Sequence, residues 1–394
     1  MQYRRFGRTE LAMPVISVGG MRYQTSWKRD DKIEAASVTN LEKIVAYALD
    51  KGMVHLETAY GYGTSEEELG QVLRHLDRER FVLQTKACPE KGVEVFKSDL
   101  ETSLQCLHVN YLDLFAVHGI NNDTMLDLWL QSGGPIEHAL KLKEQGVIRH
   151  LGFSTHGPTD TIIKAIETGL FDYVNLWFSY INQSNWPAIE SARQRDMGVF
   201  IISPNDKGGH LYNPSQRLTE LTAPLSPMAF NDLFILSHPE IHTISCGVTR
   251  PEDFDEHVGA IAHMKELTTT VTEVRQRLDD ALNAVYDSHW ADTYTQGVPE
   301  WQHTPGEINI PIILWLWNLV QAFDMHAYAT ARYNFMGNAQ SWFPGNKADK
   351  LSEVDPNDLQ RILAASPHTE RILDILAQAH DLLGGEAVHR LGKA

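Results

Sequence analysis

Four side chains in the first third of this chain have the types and placement for acid–base chemistry. Glu57 and Tyr62 stand five residues apart in the stretch Glu57-Thr58-Ala59-Tyr60-Gly61-Tyr62-Gly63. Lys86 closes the apolar run that begins at Phe81, and His118 closes the one that begins at Leu112. A free tyrosine, with a pKa of about 10, is a poor acid at neutral pH. A neighbouring ammonium stabilises its phenolate and lowers that pKa. Tyr62 therefore reads as a general acid, Lys86 as the group that tunes it, Glu57 as the carboxylate paired with Lys86, and His118 as a hydrogen-bond donor to an oxygen.

These residues need a scaffold that gathers the ends of successive strands. Apolar, β-branched runs at 14–19, 54–57, 81–87, 112–118, 148–154, 173–178, 198–203 and 242–247 read as strands. They are continuous rather than alternating, as parallel strands covered on both faces are. Helical patterns fill the gaps, among them 40–51, 65–75, 94–107 and 136–145, with Thr39, Ser65 and Thr159 as N-cap candidates. The fold class expected is α/β, a (β/α)₈ TIM barrel with its site on the C-terminal loops. A doubly wound sheet is disfavoured, because Ser17-Val18-Gly19-Gly20-Met21 does not match the Gly-rich phosphate turn. Tyr23, Trp27, His156 and Trp177 lie near strand ends and are candidate substrate contacts. The acidic runs 66–68 and 253–256 read as solvated helix starts.

The rhythm stops near residue 265. The expected division is a barrel over 1–265 and a helical C-terminal extension over 266–394, with helical patterns at 271–286, 308–324 and 356–383. The formal net charge of −17 argues against nucleic acid as the main partner. Three cysteines, Cys88, Cys106 and Cys246, are too widely spaced for a disulfide framework. No signal-peptide core and no membrane span are apparent, so a cytoplasmic protein is expected. No zinc-binding spacing of histidines or cysteines occurs.

In combination these motifs resemble the aldo-keto reductase family over residues 1–265. The opening Tyr3-Arg4-Arg5-Phe6-Gly7-Arg8-Thr9 resembles its N-terminal hairpin, and Glu57–Gly63 its D-T-A-x-x-Y-G signature with glutamate in place of aspartate. Gly146-Val147-Ile148-Arg149-His150-Leu151-Gly152-Phe153-Ser154 resembles G-x-I-R-x-x-G-x-S. The resemblance implies an NADP(H)-dependent reductase of small aldehydes or ketones, with NAD as the other cofactor and Tyr62 as proton donor. It also implies cofactor positions. Gly20 and Met21 follow the first barrel strand. Ser154, Thr155 and Asn175 fall where the nicotinamide amide is held, and Ile202 where a ring often stacks. Ser203, Pro204, Asn205, Lys207 and Gly209 match the pyrophosphate loop. Gly247, Val248, Arg250, Asp253, Glu256 and His257 match the adenosine-phosphate loop. In that loop a frequent lysine is Gly247 and a frequent arginine is Asp253, which makes Arg250 the expected cation for a 2′-phosphate. The alternative function is a cofactor-binding regulatory or scaffold protein with little turnover. A second rival is an interaction module built on the extension, which an exposed apolar patch at Trp315 and Trp317 would support.

The extension resembles the ferredoxin-like segment of some family members. Trp342-Phe343-Pro344-Gly345-Asn346-Lys347-Ala348-Asp349-Lys350 precedes four cysteine places that hold Leu351, Val354, Asn357 and Arg361 here. Thr295, Val298, Trp301 and Thr304 resemble a second stripped motif. Clusters need thiolates, and no cysteine follows Cys246. No iron–sulfur cluster is expected, and the extension reads as a lid or a homo-oligomer surface.

Overall fold

The computed structural model describes residues 1–90, 92–338 and 343–388; Trp342 of the extension motif lies outside them. An antiparallel hairpin of β1 (Tyr3–Arg5) and β2 (Ala12–Pro14) opens the chain. Eight parallel strands then close a barrel: β3 (Ile16–Gly19), β4 (His55–Glu57), β5 (Val82–Ala87), β6 (Leu112–His118), β7 (Ile148–Ser154), β8 (Tyr173–Leu176), β9 (Gly198–Ile201) and β10 (Thr243–Gly247). β10 pairs with both β9 and β3, which completes the ring. Helices alternate with the strands, as the periodicity implies. Phe6 and Met13 of the hairpin pack with Leu114, Tyr173 and Phe200 of the barrel in one buried cluster.

Register decides which side chains share a level. Gly19 pairs with Glu57 on one side and Gly247 on the other. His118 pairs with Ser154, which pairs with Asn175. Lys86 pairs with Ala116. The sequence-predicted residues thus fall on neighbouring strand ends around one rim.

By its internal contacts the chain forms two units, Met1–Gly208 with Asn231–Leu267, and Gly209–Phe230 with Thr268–Ala394. The segment 209–230, expected in the barrel part, groups with the C-terminal helices. Within the second unit, helices Thr268–Asn283, Ile310–Phe323, His326–Tyr333 and Thr369–Leu383 bury Leu278, Leu314, Phe323, Tyr333, Ile372 and Leu376. Trp290 is fully buried and its indole N–H donates to Asn318 Oδ1 at 2.8 Å. Trp317 is buried and Trp315 half-buried, so neither forms the exposed patch that would support the interaction-module reading.

Candidate active site

The loop after β4 is stitched to β5. Thr58 N–H donates to Gln84 O at 2.9 Å and Tyr60 N–H to Lys86 O at 2.8 Å, which continues the sheet pairing past Glu57. Gly63 then turns with φ +59°, and a Cβ there would stand 1.9 Å from Ser26 O. Only glycine fits that approach. The chain so directed brings Tyr62 over the end of β5. Lys86 Nζ lies 4.8 Å from the centre of the Tyr62 ring, and the Tyr62 and His118 rings meet edge to face at 5.8 Å.

Lys86 is buried, contacts the Glu57 carboxylate, and donates to Thr58 O at 2.8 Å. Glu57 also accepts from Ser245 Oγ at 3.3 Å. Sequence reasoning missed Ser245; a hydroxyl inside an apolar strand run was its signal. Burial pushes the Lys86 ammonium well below its ordinary range, while the contacting carboxylate opposes that shift. Burial, with Tyr23 adding a smaller contribution, pushes the Tyr62 phenol up. The phenol is therefore not lowered in this arrangement, contrary to the expectation drawn from Lys86 alone. Burial first, and Lys86 second, push His118 down to about 3, so its imidazole is neutral.

Further around the rim, Lys207 Nζ stands 2.8 Å from His156 Nδ1 and 5.5 Å from the centre of the Trp177 ring. Tyr23 is buried, its hydroxyl 3.2 Å from Ser65 Oγ, which donates to Gly20 O at 2.8 Å. Trp27 is half-buried and Met21 exposed. Thr155 is occupied locally: its hydroxyl donates to Ile120 O at 2.6 Å and accepts from Gly157 N–H at 3.0 Å. Ser154 Oγ accepts from Gly119 N–H at 3.3 Å.

Asn175 is the polar residue most suggestive of an absent ligand. It is fully buried at the end of β8, and neither side-chain amide atom has a hydrogen-bond partner. Buried polar groups are rarely left so. A carboxamide ligand offers a donor and an acceptor to match, so the residues present fit a nicotinamide group there.

After β9, Ile202 packs against the barrel core, and Ser203 takes a left-handed φ of +53° before Pro204 and the buried Asn205 and Lys207. Gly209 begins the second unit. Asn205 Nδ2 lies 3.3 Å from His257 Nε2, and His257 Nδ1 contacts Asp232. Desolvation pulls the buried His257 down, but Cys246 and Asp232 together hold it well above its ordinary pKa. An imidazolium donates from both nitrogens, so the Asn205 amide belongs the other way round, with its oxygen toward His257. Val248 is buried and Glu256 exposed. Arg250 is exposed and bound to Asp253 at 2.8 Å, and Asp253 also accepts from Thr249 N–H at 2.9 Å. The cation expected to meet a 2′-phosphate is thus already paired with a carboxylate.

The acidic run 66–68 is not solvated. Glu66 and Glu68 are fully buried. Glu66 accepts from Arg29 at 2.9 Å and Thr85 Oγ1 at 2.5 Å. Glu68 accepts from Thr25 N–H at 2.8 Å, Thr25 Oγ1 at 2.9 Å, Thr64 Oγ1 at 2.5 Å and Ser37 Oγ at 2.5 Å. Both carboxylates bind the 25–37 segment, which carries Trp27, to the helix Ser65–Leu73.

A closed parallel barrel with titratable side chains gathered at its strand C-termini is the architecture of barrel enzymes, whose sites occupy that face. The Aldo/keto reductase family profile matches residues 15–212, and the chain belongs to this family of oxidoreductases. A protein named probable aldo-keto reductase 1 from Glycine max is 27% identical over 178 residues, 42% of this chain and 49% of that protein. The match thus spans about half the length of that relative. The L-glyceraldehyde 3-phosphate reductase of Escherichia coli is 25% identical over 341 residues, 71% of this chain and 93% of that one. Among solved structures, an aldo-keto reductase from Bacillus halodurans in its holo form superposes with TM-score 0.58 at 20% identity, over 70% of this chain and 96% of that one. One from Klebsiella pneumoniae in complex with NADPH gives 0.54 at 22% identity, over 68% and 94%. These two share the barrel fold.

Proposed function

We propose that this protein reduces an aldehyde or ketone to an alcohol with a nicotinamide cofactor, NADPH in preference to NADH, and that Tyr62 is the general acid. The observation that carries the reading is the convergence of Tyr62, Lys86 and His118 on one strand-end rim, with the ring distances given above. Bound beside them, the cofactor would supply hydride to the carbonyl carbon. Negative charge then grows on the carbonyl oxygen. Neutral His118 donates a hydrogen bond to that oxygen, and the Tyr62 hydroxyl gives up its proton to it. Lys86 stabilises the phenolate left behind, and Glu57 holds Lys86 in place. Asn175, whose two amide atoms have no partner in the protein, would hold the nicotinamide carboxamide, with Ser154, Ile202 and the 203–207 turn as the other residues proposed to hold the cofactor. Tyr23, Trp27, His156 and Trp177 shape the substrate end.

NADPH oxidation against a panel of aldehydes, ketones and quinones tests this. Turnover of at least one substrate class, lost in Tyr62→Phe, is expected. A protein that binds NADPH and turns over none of them would support the alternative of a cofactor-binding regulatory or scaffold protein. That second reading is favoured by one observation, the burial that raises the Tyr62 phenol and lowers the Lys86 ammonium together. A reduced, cytoplasmic setting accords with Cys88, Cys106 and Cys246 forming no disulfide with one another.

A further inference from the structure

The barrel interior stays polar below the Glu57–Lys86 pair. Ser245 reaches Glu57 from β10 because Gly19, on the strand between them, has no side chain; a Cβ there would stand 2.6 Å from Ser245 Oγ. His55 lies two residues before Glu57 on β4, and Gln84 two before Lys86 on β5, so each faces the same interior as the charged residue beyond it. Gln84 is also the register partner of Glu57. The rings of His55 and Phe200 meet at 5.2 Å although β4 and β9 are not neighbours in the barrel, which places the imidazole inside. Ser17 Oγ stands 2.7 Å from His55 Nδ1 and 2.7 Å from Thr243 Oγ1, so the ring is held from one edge.

The far edge of this layer is unsatisfied. His55 Nε2 and both amide atoms of Gln84 are buried and make no hydrogen bond. Either tautomer of the imidazole leaves Nε2 a hydrogen-bonding atom. Burial, then Lys86, push His55 down to about 3, with the nearby Gln84 opposing, so the ring is neutral and sets no second charge beneath the ammonium. Buried polar atoms rarely stay unpaired, and a buried water takes about two to four such partners. Two residues along a strand span roughly 6.5 Å, a gap that one water bridges with a hydrogen bond to each side. The titratable groups facing Lys86 are Glu57 and His55 from β4, Tyr62 from the loop after it, and His118 from β6. Resting on the reductase reading above, we propose that His55 and Gln84 bind a buried water beneath the Glu57–Lys86 pair and are positioning residues that keep Lys86 charged and in place for Tyr62.

A crystal structure of the full chain, together with the pH profile of kcat for NADPH-driven carbonyl reduction, tests the proposal. An ordered water is expected within hydrogen-bond distance of His55 Nε2 and the Gln84 amide. Gln84→Met, which nearly keeps the volume and removes the amide, should lack it. Stripping polar partners from beneath a buried ammonium makes it lose its proton at lower pH. The alkaline limb of the kcat profile should therefore move down by roughly one pH unit in Gln84→Met. There kcat should fall by about 10-fold, with KM and NADPH affinity within about threefold. His55→Leu should act alike, and His55→Gln, which keeps a neutral hydrogen-bonding group, should recover most of the wild-type profile. If His55→Leu does not fold, Gln84→Met still decides. A wild-type structure with no water at these atoms overturns the site. An unmoved alkaline limb in Gln84→Met, or a loss confined to KM, overturns the positioning role. A wild type that turns over no carbonyl overturns the reductase reading and the positioning role with it, whereas the ordered water would still uphold the binding site.

Discussion

Glu57 and Lys86 are buried in contact with one another, with the centre of the Tyr62 ring 4.8 Å from Lys86 Nζ. Burial disfavours the phenolate and the ammonium alike, and the Glu57 carboxylate stands in contact with Lys86. Tyr62→Phe removes the hydroxyl proposed as the proton donor and leaves the proposed cofactor contacts in place. Turnover should fall by about 10²-fold or more, with NADPH affinity within a few-fold; wild-type turnover in that variant would end the assignment. Glu57→Gln leaves a buried ammonium without its carboxylate and should cost about 3–5 kcal/mol in urea unfolding. A cost near zero would mean that Lys86 is neutral. His118 adds a pH dependence. Its folded pKa is about 3, below the ordinary 6.5, so the unfolded chain takes up the proton first on acidification. Stability present above pH 6.5 is lost as pH falls from about 6.5 toward 3. His118→Gln should flatten thermal-unfolding midpoints across that window; an unchanged slope would show that the imidazole is already protonated when folded.

Elements built from continuous apolar runs are legible in the sequence itself. β6 and β7 begin and end where the runs 112–118 and 148–154 do, because nearly every position there is buried, Arg149 being the one exposed exception. The first helix starts at Ala35 rather than 40, since Ala35 and Ala36 extend it at little cost and Thr39 becomes an interior residue. The pattern 356–383 reads as one helix, yet it forms Pro356–Ile362 and Thr369–Leu383. Pro367 intervenes, and a proline neither donates to the ladder nor tolerates a helical predecessor. Within the candidate site, Glu57 and His118 are readable because they end strands, Lys86 because it lies one residue before the end of β5, and Tyr62 because it follows β4 by five residues. The burial of Glu66 and Glu68 was not, because their partners Thr25, Arg29 and Ser37 lie about three dozen residues earlier, a separation no local window spans. Glu68→Ala should lower stability by about 1.5–3 kcal/mol or more. It should also make residues 20–34 sensitive to limited proteolysis, with the barrel otherwise intact. Unaltered cleavage would show that the segment is held by something other than this carboxylate.

At the scale of the molecule, the two units draw on different physics. The barrel closes on itself by hydrogen bonding, while the C-terminal helices are held by apolar packing and single polar anchors such as Trp290 to Asn318. Of the four positions where the ferredoxin-like resemblance would place cysteines, Leu351 and Val354 are half-buried and Asn357 and Arg361 exposed. Among the described residues no group of three or more His, Cys, Asp or Glu is placed to hold a metal ion. Protein purified without oxygen is expected to be colourless and free of stoichiometric iron; visible cluster absorbance would overturn this. Among the same residues no helix is long and apolar enough to cross a membrane.

The excursion Gly209–Phe230 has a consequence for the order of events on the ribosome. Ser215 donates to Phe323 O, 108 residues later, and Arg277 to Leu221 O, 56 residues later. At 5–20 residues per second, the first of these partners is made roughly 5–20 s after Ser215 itself. During that interval β9 has been made and β10 is emerging, while the segment between them waits exposed for helices not yet translated. A nascent chain halted just beyond Leu267 would hold every barrel strand but neither Arg277 nor Phe323, which hydrogen-bond to 209–230. The stretch of the polypeptide most dependent on prompt completion of synthesis is therefore an internal loop of the barrel's own sequence, not its tail.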